Sequence, residues 1–159
     1  MTAPCYAASM RTAEQWFEEY GASHRHPTNK RIHWVCVPLI LCSTLGLLQS
    51  VPLAGPGPLH LGTLGAVVAL AFYATLGLRL FIAMAAVLAA SLGLNAAIAQ
   101  VAPLWGVSAG VWLLAWVAQF YGHELEGKKP SFFKDLQFLL VGPAWVVNAL
   151  LARRAAPSA

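Results

Sequence analysis

Charge is scarce in this chain: ten lysines and arginines and six acidic residues make up only 10% of 159 residues, against roughly 25% in soluble domains. With 58% apolar residues and a mean hydropathy of +0.63, it does not read as a water-soluble fold. Cysteine is scarce too. Cys36 and Cys42 fall inside an apolar run, where small thiols pack as hydrophobes, and Cys5 sits in a loose tail, so no disulfide framework is implied. A basic stripe is missing as well. The net charge of +4 is scattered beside apolar segments, which argues against a nucleic-acid interface. No Gly-rich phosphate loop, Gly-x-Ser-x-Gly elbow or His-Glu-x-x-His pair occurs, which leaves out several common enzyme classes. Without a fixed-period repeat, a low-complexity tract or an internal break, residues 1–159 read as one membrane domain. Residues 1–20 carry Glu14, Glu18 and Glu19 and no continuous apolar run. A secretory leader is therefore not expected, and the N-terminus is placed on the cytoplasmic side.

Apolar runs are what the chain has in abundance. Thr12 and Gln15 form a candidate capping box, which predicts a short helix over residues 13–20 ending at Gly21. Trp16, Phe17 and Tyr20 give that helix an aromatic side suited to lipid headgroups, so it is expected to lie on the membrane. Residues 21–31 are polar, and a first span follows over residues 32–48. An uncharged, Pro- and Gly-rich connection fills 50–58. Residues 59–101 are then apolar apart from Arg79, twice the roughly 20 residues needed to cross a core about 30 Å thick. Arg79 at mid-bilayer would cost about 2.5–3.5 kcal/mol, which predicts two spans and a tight turn near residues 77–80. Residues 99–103 make the next turn, and 104–121 form a fourth span.

The expected fold class is all-α: an integral membrane helical bundle of four transmembrane helices plus the N-terminal interfacial helix. The last apolar segment, residues 138–151, contains Gly142 and Pro143 and runs into Arg153 and Arg154. It reads as re-entrant or interfacial, with a fifth crossing as the alternative. Residues 1–31 then form a cytoplasmic or interfacial segment, 32–121 the four spans, and 122–159 a cytoplasmic loop and C-terminal apolar helix. In this topology the uncharged connections face outward, while Arg25, Lys30, Arg31, Arg79, Lys128, Lys129 and Lys134 all face inward, as positive charges should. Ala85 with Ala89, Ala86 with Ala90, and Gly106 with Gly110 are expected to serve packing within the bundle, with a homodimer through Gly106 and Gly110 as the other possibility.

An even number of crossings puts His24, His26 and His33 on the same side as His123, Glu124 and Glu126. If the fourth span continues as a helix, His123 and Glu126 share a face. Three imidazoles and a carboxylate converging there could hold a first-row transition metal and leave one coordination position open. Plainer readings stand beside this one. Each histidine alone is a polar group at headgroup level, His26 beside Pro27 is the weakest candidate, and His60 falls on the opposite side. Asn29 is expected to cap the first span, with support of the histidines as its other reading. Glu126 would pair with Lys128 or Lys129 as solvated charges, and Asp135 would start the final helix. Every histidine lies at a segment end, which disfavours a haem held between facing helices. Five are too few for the several histidine boxes of membrane desaturases.

The segments Tyr20-Gly-Ala-Ser-His24, Asn29-Lys-Arg-Ile-His33 running on to Val37-Pro38-Leu39, Gln119-Phe-Tyr-Gly-His123 and Glu126-Gly-Lys-Lys-Pro130 resemble the iron-dependent 2-hydroxy fatty acid dioxygenases of the fungal endoplasmic reticulum. The continuation Ser131-Phe-Phe-Lys-Asp135-Leu-Gln-Phe-Leu-Leu-Val-Gly-Pro143 is similar to the bacterial branch of that family. The resemblance implies an Fe(2+) enzyme of α-oxidation, in which a 2-hydroxy fatty acid and O₂ give the acid one carbon shorter and CO₂. It implies iron ligands among His24, His33 and His123, with Glu126 a fourth ligand or an orienting partner; Asn29, from its place between two of these histidines, is counted with Glu126 among the catalytic-site residues. Glu126 stands one residue closer to His123 than in the fungal pattern, which leaves both its roles open. The implied partners are a fatty acyl substrate, O₂ and the lipid bilayer, and the implied location is a bacterial inner membrane with the metal on its cytoplasmic side. Two other functions fit the composition: a non-catalytic lipid-binding or scaffolding bundle, and a zinc-dependent lipid hydrolase that works without oxygen.

Overall fold

The computed structural model describes residues 11–53, 59–131 and 137–155. Cys5, Lys134, Asp135, most of the 50–58 connection and the Arg154 side chain lie outside the described residues. Among those described, the protein is all-helical: α1 (Ala13–Gly21), α2 (Pro27–Gln49), α3 (Leu61–Ala74), α4 (Leu78–Ile98), α5 (Leu104–Glu126) and α6 (Phe138–Ala155). Helices α2, α4 and α5 are long and apolar enough to cross a membrane. Helix α3, with 14 residues, rises only about 21 Å at 1.5 Å per residue. It stops where Thr75 and Leu76 turn and Gly77 adopts φ +102°, a conformation that glycine enters without a Cβ clash. The outer faces of the long helices are apolar, with Leu78 and Leu114 each 73% exposed, as suits contact with lipid and not with water.

Helix α1 begins with the expected capping box: Gln15 N donates to Thr12 Oγ1 at 3.3 Å, and Thr12 N donates to Gln15 Oε1 at 2.9 Å. Its aromatic side does not face headgroups. Trp16 and Tyr20 are buried, with Trp16 edge-on to Phe138 at 5.3 Å, because α6 folds back and offers α1 an apolar surface.

Helix α2 starts earlier than its apolar run. Pro27 occupies the first helical position, where its missing N–H costs nothing, and His26 is the N-cap without a side-chain capping bond. Asn29 therefore lies inside the first turn and does not cap the helix, contrary to expectation.

Helices α2 and α5 pack side by side and antiparallel. Trp112 Nε1 donates to Thr44 Oγ1 at 3.2 Å at one end, and Asn29 Nδ2 donates to Glu126 at 3.1 Å at the other. Glycines allow this approach. A Cβ on Gly122 would come within 2.5 Å of Asn29 Oδ1, and one on Gly46 would strike Ser108 Oγ; on α3, one on Gly62 would reach 2.9 Å from Leu45 O. The pair expected to pack, Gly106 and Gly110, meets nothing within 4 Å, and Ala86, Ala89 and Ala90 are exposed. Most of these small residues therefore face away from the bundle.

Helix α6 covers the end of the bundle where α2 begins. A Cβ on Gly142 would lie 2.9 Å from Tyr20 Oη and 3.5 Å from Val37 Cγ1, and the Arg153 guanidinium lies 4.3 Å over the Trp34 ring. Tyr73 Oη donates to Leu140 O at 3.0 Å, which ties α6 to the end of α3.

Candidate metal centre

Three separate pieces of chain deliver histidines to one point. The helical period of α2 sets His33 one turn beyond Asn29, and that of α5 sets His123 one turn beyond Gln119. His24 comes from the short link between α1 and α2. The three are 0%, 0% and 4% exposed, with ring centroids 4.2, 4.8 and 5.0 Å apart. One nitrogen from each ring lies within 4.8 Å of the other two.

Which nitrogens point inward follows from the backbone. His24 Nδ1 lies 2.6 Å from Tyr20 O, and His33 Nδ1 lies 3.0 Å from Asn29 O. A carbonyl only accepts, so each Nδ1 carries the hydrogen and each Nε2 presents a lone pair. Both Nε2 atoms are buried without a partner, and so is His123 Nδ1; a backbone hydrogen bond at Lys128 holds the other side of that ring. Burial pushes His24 down to about 4, so its ring stays a neutral donor at physiological pH. Three buried lone pairs aimed at one another leave their acceptors unsatisfied, at about 1–3 kcal/mol each. A single cation satisfies all three. The residues present thus fit a first-row transition metal, and the fixed outer N–H groups are the usual support of metal-bound imidazoles.

Glu126 is held elsewhere. Its Oε1 accepts from Arg25 N at 2.8 Å, and its Oε2 accepts from His26 N at 2.7 Å and Asn29 Nδ2 at 3.1 Å. The carboxylate straps the end of α5 to the start of α2, where the helix dipole favours negative charge. The expected Glu126–Lys128 pair does not form; Lys128 Nζ donates instead to Ala22 O at 2.7 Å. Backbone amides at a helix start outcompete a mobile surface ammonium for the carboxylate. Asn29 is fully buried and also donates to Ser23 O at 3.3 Å, while its carbonyl orients His33. Gly127, at φ +67°, ends α5 and lets the chain turn back toward Ala22.

The remaining expected residues lie outside the cluster. His26 and Glu124 are exposed. His60 caps α3, with Thr63 N donating to its Nδ1 at 3.0 Å, a role its sequence position before an apolar run is consistent with.

An apolar cavity of about 400 Å³ opens from the three histidines and continues between α2 and α5. Val37, Ile40, Thr44, Trp112, Trp116 and Gln119 are among its lining residues, and sequence reading assigned none of them to a site. Their signal is the helical spacing that links Trp112, Trp116 and Gln119 to His123, visible only once His123 is taken as a fixed point.

The family model described as 2-hydroxy-palmitic acid dioxygenase Mpo1-like matches residues 10–154. The chain therefore belongs to the Mpo1-like family, the one its terminal motifs resemble. Neither a curated protein nor a solved structure gives a significant match.

Proposed function

We propose that this member of the Mpo1-like family is an integral membrane oxygenase that converts a 2-hydroxy fatty acid and O₂ to the fatty acid one carbon shorter, CO₂ and water. The observation that carries this reading is the set of three partnerless imidazole nitrogens at the head of an apolar cavity. In the reaction the bond between C1 and C2 breaks, C1 leaves as CO₂, and C2 becomes the new carboxyl carbon. The substrate gives up all the electrons that one O₂ accepts, so neither 2-oxoglutarate nor a reductase is needed.

His24, His33 and His123 would hold Fe(II), with the cavity side left open for substrate. Bound there, iron supplies O₂ activation beside the carboxylate and 2-hydroxyl. The carbonyls of Tyr20 and Asn29 keep two rings in the tautomer that donates through Nε2. Tyr20 also stacks on His24 at 4.1 Å and fixes its plane. Gln119, buried one turn from His123, offers an amide to the head group, and the apolar walls exclude water and receive the alkyl chain. Glu126 and Asn29 act by positioning α2 against α5.

With four crossings, α3 being the short one, and a cytoplasmic N-terminus, the metal lies at the cytoplasmic face of a bacterial inner membrane, near Arg25, Lys30 and Arg31.

Purified protein is expected to contain iron and to consume O₂ with 2-hydroxypalmitate, releasing one CO₂ and one pentadecanoate per O₂, while palmitate supports no turnover. Oxygen-electrode and mass-spectrometric measurements on the same sample check this. Equal turnover without O₂ would point to the hydrolase reading, and full activity after complete iron removal would sink the proposal.

A further inference from the structure

We infer that the groove between α2 and α5 measures the substrate's alkyl chain and that the Thr44–Trp112 hydrogen bond is its floor. This rests on the oxygenase reading for the identity of the ligand and on separate geometry for the ruler. On α2, His33, Val37, Ile40 and Thr44 form one stripe down the groove, and on α5, His123, Gln119, Trp116 and Trp112 form the facing one. From His33 to Thr44, and from His123 to Trp112, is eleven residues, or about 16 Å of helix. That is about half of a hydrocarbon core roughly 30 Å thick, the depth that one acyl chain occupies in one leaflet. A single chain anchored at the histidines would therefore reach the far end when its length matches the leaflet.

The far end is closed by a fixed structure. Trp112 Nε1 donates to Thr44 Oγ1 at 3.2 Å across the two helices, and Trp116 packs beside Trp112 with ring centroids 5.7 Å apart. Just past the bond the helices are in direct contact. Gly46 has no room for a Cβ beside Ser108 and Asn95, and Asn95 Nδ2 donates to Cys42 O at 2.9 Å. Between Gln119 and that bond the groove is lined by Val37, Ile40 and the Trp116 ring, so its walls are largely apolar and favour methylenes. Each methylene buried against them raises affinity about fourfold until the chain meets the floor.

The test uses the full-length, iron-loaded protein and a series of saturated 2-hydroxy acids, with affinity measured without O₂ so that the result does not depend on turnover. For the native protein, affinity is expected to climb about fourfold per carbon and then to break at one chain length. Trp112→Ala removes the floor and moves the break to longer chains. Ile40→Trp fills the groove above the floor and moves it to shorter chains, with iron content as the check that each variant is folded. A break that stays at the native length in both iron-loaded variants, or no break at all in the native protein, would overturn the ruler. Failure of turnover with intact length-dependent binding would instead strike only the oxygenase reading.

Discussion

Replacing His33 with alanine is expected to abolish metal retention and oxygenase activity together, with a loss of more than about 100-fold, since even supporting residues behind a ligand cost 10–100-fold. The imidazole supplies one of three inward lone pairs, and among the described residues no other histidine, cysteine or carboxylate joins the 4.8 Å cluster. The same change has a second, opposite consequence for the metal-free protein. His33 Nε2 is buried without a partner, so its removal relieves a cost of about 1–3 kcal/mol that offsets part of the cavity created. Native protein should gain thermal stability on adding Fe(II), because a ligand that binds only the folded state stabilises it. His33→Ala should gain none. Metal analysis and melting curves with and without Fe(II) check both points, and His26→Ala and His60→Ala, which alter histidines outside the cluster, should keep the metal and the native gain in stability with Fe(II), although loss of the α3 cap lowers the melting temperature of His60→Ala itself.

The second large effect is expected at Glu126. Glu126→Ala removes the acceptor of three hydrogen bonds, two from backbone amides at the start of α2 and one from Asn29; the two backbone bonds are exposed, so the set together contributes about 1–3 kcal/mol. Without the strap, the first turn of α2 and the link bearing His24 lose their tie to α5. Metal affinity should fall about 10–100-fold while the protein still binds one metal at saturation. Glu126→Gln, which keeps one carbonyl acceptor, should fall between. A Glu126→Ala protein with native metal affinity and native melting temperature would show that the strap does not position the histidines. Loss of a carboxylate from the metal's own ligand set would show Glu126 to be a ligand.

The convergence of His24, His33 and His123 could be read from the sequence because it depends only on which end of the bundle each residue reaches. The turn at Gly77 and the capping box of Thr12 were legible for a similar reason, since each is a local signal. The start of α2 was not. Hydropathy marks where lipid begins, not where a helix begins, and residues 27–31 are polar yet helical, which turned Asn29 from an expected cap into an internal buried amide. Trp16 and Tyr20 looked interfacial because their partner, Phe138, comes from the far end of the chain. The spacing of Gly106 and Gly110 matched a packing motif, but spacing does not say which face meets a neighbour, and the close contacts fell at Gly46, Gly62 and Gly122. The partners of Glu126 left no trace because backbone amides have no sequence signature.

X-ray absorption spectroscopy on anaerobically reconstituted Fe(II) protein tests the shared centre most directly. The arrangement of His24, His33 and His123 predicts imidazole scattering from three histidines per iron. An iron shell without imidazole scattering, or undiminished iron binding when all three histidines are replaced, would contradict it.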